Sequence, residues 1–307
     1  DRKYVGTRSI ADIEQYLLSG GLILNTDENV EYLVEASSRK SDQFVLYDYD
    51  YNYNEGDPFV TEDEVDQTTT VNSFSVNRKN HLDTATLNIG IKIQNSDYQR
   101  NTTNKNRKEW SVIGEHSAPI SERTLFNVSY RHSKIEDGLG SGSEVNDSLN
   151  ALSTSLTKQT EAGDYFIRLD RGFRLPTFDE NNSTYTHQYL LPQTHVSLEA
   201  GVTNPTLGLS GFFTRTKNEI RPTVRDYGSY FLTTNANIKE TERFGLQAFK
   251  IVALTPQTRL HTAYSFTEAK SVEGLDKDKH LPGVPQHVVS LALKHQHNSA
   301  FTSTFDW

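Results

Sequence analysis

Apolar and polar residues alternate with a period of two along most of this chain. The clearest run is Tyr47-Asp48-Tyr49-Asp50-Tyr51-Asn52-Tyr53-Asn54, which sets four tyrosines on one face of a strand and four Asp or Asn on the other. A helix would scatter those rings around its circumference. The same period recurs in Leu87, Ile89, Ile91 and Ile93 against Asn88, Gly90, Lys92 and Gln94. It returns in Phe126, Val128 and Tyr130, and again in Phe301, Ser303, Phe305 and Trp307. Further segments at 30–38, 71–77, 109–116, 148–159, 164–171, 194–202, 206–216, 236–253, 258–268 and 286–296 bring the expected total to about fourteen strands. One amphipathic stretch, from Ser9 to Leu18, reads as a short helix.

The connections sort by length. Short ones are expected at 38–42, 77–83, 117–122, 160–163, 203–205, 255–257 and 297–299. Long ones lie between them at 54–70, 95–108, 134–147, 172–193, 217–235 and 269–285. An antiparallel meander with turns at one end and long loops at the other has this rhythm, and transmembrane barrels are built so. Strands of roughly ten residues suit an apolar band about 25 Å tall crossed at a tilt, whereas sandwich strands are shorter.

Composition narrows the function classes. A net charge of −9 over 307 residues argues against a tracker of nucleic-acid phosphates. With no cysteine there is no disulfide framework, thiolate metal site or cysteine nucleophile. No apolar run approaches the roughly 18 residues of a spanning helix. Fifteen Tyr and fifteen Phe in a chain only 35% hydrophobic suit strands with one wet face and one face in lipid. Asp48, Asp50 and Asn52 have calcium-loop spacing, but Tyr53 stands where that loop needs glycine. The basic stretch 99–108 reads as a solvated loop able to meet lipopolysaccharide phosphates or an anionic ligand. His295 and His297 offer two imidazoles without a third ligand. No catalytic motif occurs, so neither an enzyme nor a metal or cofactor site is expected.

Six segments, in order over 165–307, resemble TonB-dependent outer-membrane receptors. Arg171-Gly172-Phe173-Arg174-Leu175-Pro176-Thr177 is similar to the segment that opens a long extracellular loop in those proteins. Leu191-Pro192-Gln193 with Glu199, Ala200 and Gly201 follows. Then come Phe212-Phe213 with Lys217-Asn218-Glu219-Ile220, and Asn235-Ala236 with Phe244-Gly245-Leu246-Gln247. Tyr264 to Ala269 and Leu281-Pro282-Gly283-Val284-Pro285-Gln286-His287 complete the set. Gly172, Phe173, Arg174, Pro176, Pro282 and Pro285 are the motif positions.

The resemblance implies an all-β, antiparallel up-and-down transmembrane β-barrel. Family barrels have about 22 strands around a plugged lumen, so this chain is expected to be one barrel domain, 1–307, short at both ends and without the plug. The implied function is uptake across the outer membrane of a Gram-negative bacterium of a scarce large ligand such as a siderophore, haem, cobalamin or glycan. The implied partners are TonB and its inner-membrane energising proteins, acting through the plug, together with outer-membrane lipid and lipopolysaccharide. Ligand contact is expected at Tyr185, His187, Tyr189, Arg221, Arg225 and Tyr227, because aromatics bring area and arginine reads anionic oxygens. Two other classes stay open: a passive porin-type channel, and a soluble all-β adhesin or binding module.

Overall fold

The computed structural model describes residues 3–52, 59–138, 144–181, 189–226, 231–274 and 277–307. They form fourteen strands in one antiparallel sheet whose order follows the chain, and no helix occurs among them. The strands are β1 (Lys3–Asp27), β2 (Val30–Asn52), β3 (Phe59–Leu82), β4 (Ala85–Arg100), β5 (Thr103–Ser121), β6 (Thr124–Gly138) and β7 (Glu144–Thr160). They continue with β8 (Gly163–Arg174), β9 (Gln193–Asn204), β10 (Leu207–Asp226), β11 (Phe231–Ala253), β12 (Thr258–Glu273), β13 (His287–Gln296) and β14 (Thr302–Asp306). Contacts divide the chain into two compact units, one of 1–81, 87–114 and 131–149, the other of 82–86, 115–130 and 150–307.

The expected count is met, but by a different set of strands. The expected helix at Ser9 to Leu18 is the middle of β1, paired residue by residue with β2 from Ser9↔Tyr47 to Leu18↔Ser38. Spacings of three and four among Ile10, Ile13 and Leu17 imitate a helical stripe, but the ladder with β2 decides the conformation. The expected turn at 38–42 is the middle of β2, bonded to β1 on one side and β3 on the other. Its polar run carries no glycine or proline, and its side chains find strand partners: Arg39 donates to Gln15, and Thr68 donates to Asp42.

Most strands also outrun the expected ten residues. β1 has 25, roughly 80 Å of strand, more than twice what the apolar band needs. Four of the expected long loops, 54–70, 95–108, 134–147 and 217–235, are therefore largely the upper parts of tall hairpins. The 95–108 connection shrinks to Asn101 and Thr102, where Asn101 takes a left-handed φ of 49°. Among the described residues, the long connections are the segments after β8 and after β12.

Turn chemistry at the opposite end follows the sequence. Asn204 Oδ1 accepts from the amides of Thr206 and Leu207, and Asn298 Oδ1 from those of Ala300 and Phe301. Facing is as the alternation implies. Ile89, Ile91 and Ile93 are about half exposed, while Gly90 between them is buried and Lys92 and Gln94 are partly covered. The side chains of the Tyr47 to Tyr53 run lie outside those described.

Candidate functional site

In the larger unit the strand register sorts the side chains of β8 to β11 below Asn218 onto two faces. Ile167, Ala200, Gly211 and Leu246 share a level on one face, with Leu169, Leu198, Phe213 and Phe244 two residues further on. Leu198, Phe213, Phe244 and Leu246 are all exposed there. This is the apolar, outer face. Asp170, Ser197, Thr214 and Arg243 define the opposite, inner face.

The inner face carries a buried ionic cluster near the tall ends of β10 and β11. Strict alternation from Thr216 would point Glu219 outward. At Asn218 the backbone turns left-handed, with a φ of 54°, and the ladder passes from Lys217↔Glu240 to Glu219↔Ile238. Glu219 thereby faces inward and its side chain is only 8% exposed. Its carboxylate accepts from Thr241 Oγ1 at 2.5 Å and from Arg243 Nη1 and Nη2 at 3.0 and 2.6 Å. Arg221 Nε stands 3.5 Å from the same carboxylate. Two guanidiniums thus share one carboxylate, leaving a net positive charge in a largely buried place. Arg221 Nη1 is itself buried and meets no hydrogen-bond acceptor among the described residues.

The connection after β8 is held over this region by named bonds. Arg174 makes a bidentate ion pair with Glu180, at 2.8 and 3.1 Å, and the amide of Thr177 also donates to Glu180. Burial would raise the Glu180 carboxyl, but Arg174 and Thr177 together hold it below the ordinary glutamate value. Pro176 and Phe178 are buried. On the far side Asn237 accepts from the Leu191 amide and donates to the carbonyls of Leu191 and Asn218, tying the loop's end to the kink. Gly172 and Phe173 close β8; the His195 ring lies over Gly172, where a Cβ would come within 2.5 Å of it. Pro282 and Pro285 are exposed in a segment that returns along β12, with Leu281 N bonded to Ala269 O and His280 beside Glu268.

Of the expected ligand residues, Arg221 belongs to the ionic cluster and Tyr189 is exposed at the end of the loop. Tyr185, His187 and Tyr227 lie outside the described residues. Arg225 is in β10, but its side chain is not among those described. Sequence reading missed Glu219, Thr241 and Arg243. The signal was present: Glu219 follows an Asn in a strand, and Asn tolerates the left-handed turn that redirects it.

Lower on the inner face, towards the short turns, the wall becomes apolar. A cavity of about 410 Å³ is lined by Phe166, Phe249, Ala263 and Val288 beside Ser210 and Gln247. Phe249 lies flat over its cross-strand partner Gly208, where a Cβ would come within 2.1 Å of the ring, and Phe212 covers Gly245 in the same way.

The smaller unit has its own buried polar row. Arg107 makes a bidentate pair with Asp137, at 2.6 Å on both arms, and Ser111 Oγ lies 2.7 Å from Ser133 Oγ. Lys105 is buried with its ammonium over the Tyr98 ring. The stretch 99–108 is thus not the solvated basic loop expected, because two of its cations are inward-facing strand residues. His295 and His297 have rings 4.5 Å apart, but each also meets a hydroxyl, of Thr258 and Ser303. No cluster of three metal-binding side chains occurs among the described residues.

Comparison with known proteins agrees with this architecture. FpvA from Pseudomonas aeruginosa PAO1, solved with pyoverdine, superposes with a TM-score of 0.72 at 12% identity, over 94% of this chain and 49% of FpvA. FyuA, the ferric yersiniabactin uptake receptor from Yersinia pestis, gives 0.66 at 12% identity, over 97% and 49%. The siderophore receptor PiuA from Acinetobacter baumannii gives 0.66 at 12%, over 95% and 53%. The chain thus spans about half the length of these structures. No curated protein matches the sequence. The family model for the TonB-dependent receptor-like β-barrel matches residues 1–307, and the chain belongs to that family.

Proposed function

We propose that this chain is barrel wall of an outer-membrane receptor of a Gram-negative bacterium. In this reading the receptor captures a scarce large ligand at the tall-hairpin end and imports it with energy supplied through TonB and its inner-membrane partners. The observation that carries the reading is the inner-face cluster of Glu219, Arg243 and Arg221. A net positive, mostly desolvated site with a spare guanidinium nitrogen favours anionic oxygens, since charge-assisted bonds to arginine are strong and geometrically selective. Ferric siderophores bearing carboxylate, catecholate or hydroxamate oxygens fit that chemistry. Tyr189 and, by sequence, Tyr185, His187, Arg225 and Tyr227 complete the ligand face.

Two features weigh against the other classes. A water-filled porin has a polar interior, whereas Phe166, Phe249 and Val288 line an inner cavity. A plug domain packed on them relieves that exposure. A soluble adhesin has no use for an outer face of Leu198, Leu209, Phe213, Phe244 and Leu246, all exposed.

The test is uptake of radiolabelled iron by cells that carry the complete receptor and lack other siderophore receptors. Ferric catecholate, hydroxamate and carboxylate chelates are supplied one at a time, with and without TonB. The expected result is saturable uptake of one chelate class that needs TonB and weakens at least tenfold in Arg221→Ala. TonB-independent entry of small solutes, with no chelate preference, rejects the reading in favour of a channel.

A further inference from the structure

The outer face holds a feature that ligand import does not use. Between β7 and β11 a groove of about 630 Å³ opens outward. Its axis follows one level of the ladder, Leu156↔Ile167↔Ala200↔Gly211↔Leu246. Five strands are four spacings, roughly 19 Å. Leu156 and Ile167 wall one end and Leu246 the other, while Ala200 and Gly211 form a low floor. A Cβ on Gly211 would sit 3.3 Å from Leu246 Cδ2, so a longer side chain there fills the trough. Strands of such barrels tilt near 45°. A row across them is inclined to the membrane normal too, which suits an extended acyl chain.

At the turn end of the groove stands Lys158. It lies on the outer face, cross-strand from Tyr165, two residues before the β7 terminus at Thr160. Its side chain is exposed, and no carboxylate among the described residues lies within ion-pair distance of it. An ammonium on a hydrocarbon-facing surface is costly unless it snorkels to an anion at the interface. Tyr165 beside it is the residue type that sits at headgroup level. Apolar trough, small-residue floor, interfacial tyrosine and a single cation match one phospholipid.

We propose that this groove is a specific site for a diacyl phospholipid with an anionic headgroup, drawn from the leaflet at the short-turn end. The phosphate pairs with Lys158 and one acyl chain lies over Ala200 and Gly211. The proposal rests on the outer-membrane reading above. The lipid secures the β7 to β11 wall, the stretch whose inner side carries the ionic cluster.

Native mass spectrometry of the complete receptor in non-ionic detergent, titrated with dioleoyl phosphatidylglycerol or phosphatidylcholine, tests it. Lys158→Gln is expected to lower the affinity for the first phosphatidylglycerol about fivefold, the worth of one interfacial cation, and to leave phosphatidylcholine unchanged. Gly211→Leu and Ala200→Leu are expected to weaken both lipids, and Ala200→Leu carries this arm if Gly211→Leu does not fold. Lys294→Gln, the same charge change on the inner face near the same end, is the control. Wild-type affinity in Lys158→Gln, an equal loss in Lys294→Gln, or wild-type affinity in the folded groove-filling variants each overturns the site. Heat-modifiable electrophoretic mobility separates the two levels of failure: a chain that forms no barrel sinks the membrane reading, whereas a folded barrel without lipid preference sinks only this proposal.

Discussion

Replacing Glu219 by alanine tests whether the inner cluster is an electrostatic unit. The carboxylate now receives three hydrogen bonds, one from Thr241 and two from Arg243, and a 3.5 Å contact from Arg221. Its removal leaves Thr241 fully buried without that acceptor and two guanidiniums, 23% and 21% exposed, facing each other without a counter-charge. Breaking a buried pair from one side costs about 3–5 kcal/mol. Both arginines keep some solvent, and screening brings the expected loss to about 2–3 kcal/mol. The pairwise part is isolated by a double-mutant cycle with Arg243→Met, read by urea unfolding of the complete receptor in lipid vesicles. A coupling of about 1.5 kcal/mol or more is expected, because the two partners share two hydrogen bonds in a low-dielectric site. Glu219→Gln, which keeps an acceptor and loses the charge, is expected to fall between wild type and alanine. A Glu219→Ala protein as stable as wild type, or a coupling below about 0.5 kcal/mol, refutes the argument that this carboxylate neutralises buried cations.

Three further outcomes follow from named contacts. Ile91→Arg places a charge on the exposed apolar face and is expected to cost about 2–4 kcal/mol at mid-depth and to impair assembly in cell envelopes, whereas Asn88→Arg on the other face assembles normally; equal assembly of the two contradicts the facing. The folded Glu180 carboxyl titrates below its unfolded value of 4.5, so its ion pair stabilises the loop above that pH and is lost as pH falls through the lower folded value. Hydrogen exchange at the Thr177 amide, corrected for intrinsic rate, is expected to lose protection only below about pH 4.5, and Glu180→Gln is expected to flatten that dependence. Gly208→Val drives a Cβ into the Phe249 ring and is expected to destabilise by about 1–3 kcal/mol; Phe249→Ala in the same chain recovers part of the loss, and no recovery argues against the ring lying over the glycine.

The sequence carried the period of the strands and the facing of their side chains, because a buried or lipid-bound face tolerates no slip. Thus Ile89, Ile91 and Ile93 stand where alternation put them, and the turns at Asn204 and Asn298 were legible from their own side chains. Strand ends were not. Above the apolar band a tall hairpin is wet on its outer side, so polar stretches such as 95–108 look like loops while the backbone ladder continues. The run at 38–42 misled for the same reason, and one strand counted as two compensated for a missed β1. The family landmarks were legible as motifs but not as contacts: nothing in Arg174 announces that its partner is Glu180, six residues on.

The inner cluster shows how a local irregularity builds a site that periodicity cannot reveal. With β10 regular throughout, Glu219 and Arg221 would point outward, onto the wet upper face where Arg215 already pairs with Glu242, and the inner face would lack both charges. One left-handed residue reverses this. Asn218 reaches φ of 54° at a small cost for its type, and its carbonyl is held by Asn237 from the neighbouring strand. The same Asn237 also binds both polar atoms of the Leu191 backbone, so the kink and the loop end share one anchor. The turn of the backbone, the inward direction of Glu219 and the seating of the loop are therefore coupled at a single asparagine. A change at Asn237 should disturb all three, although its side-chain hydrogen bonds go to Leu191 and Asn218 and not to either arginine of the cluster.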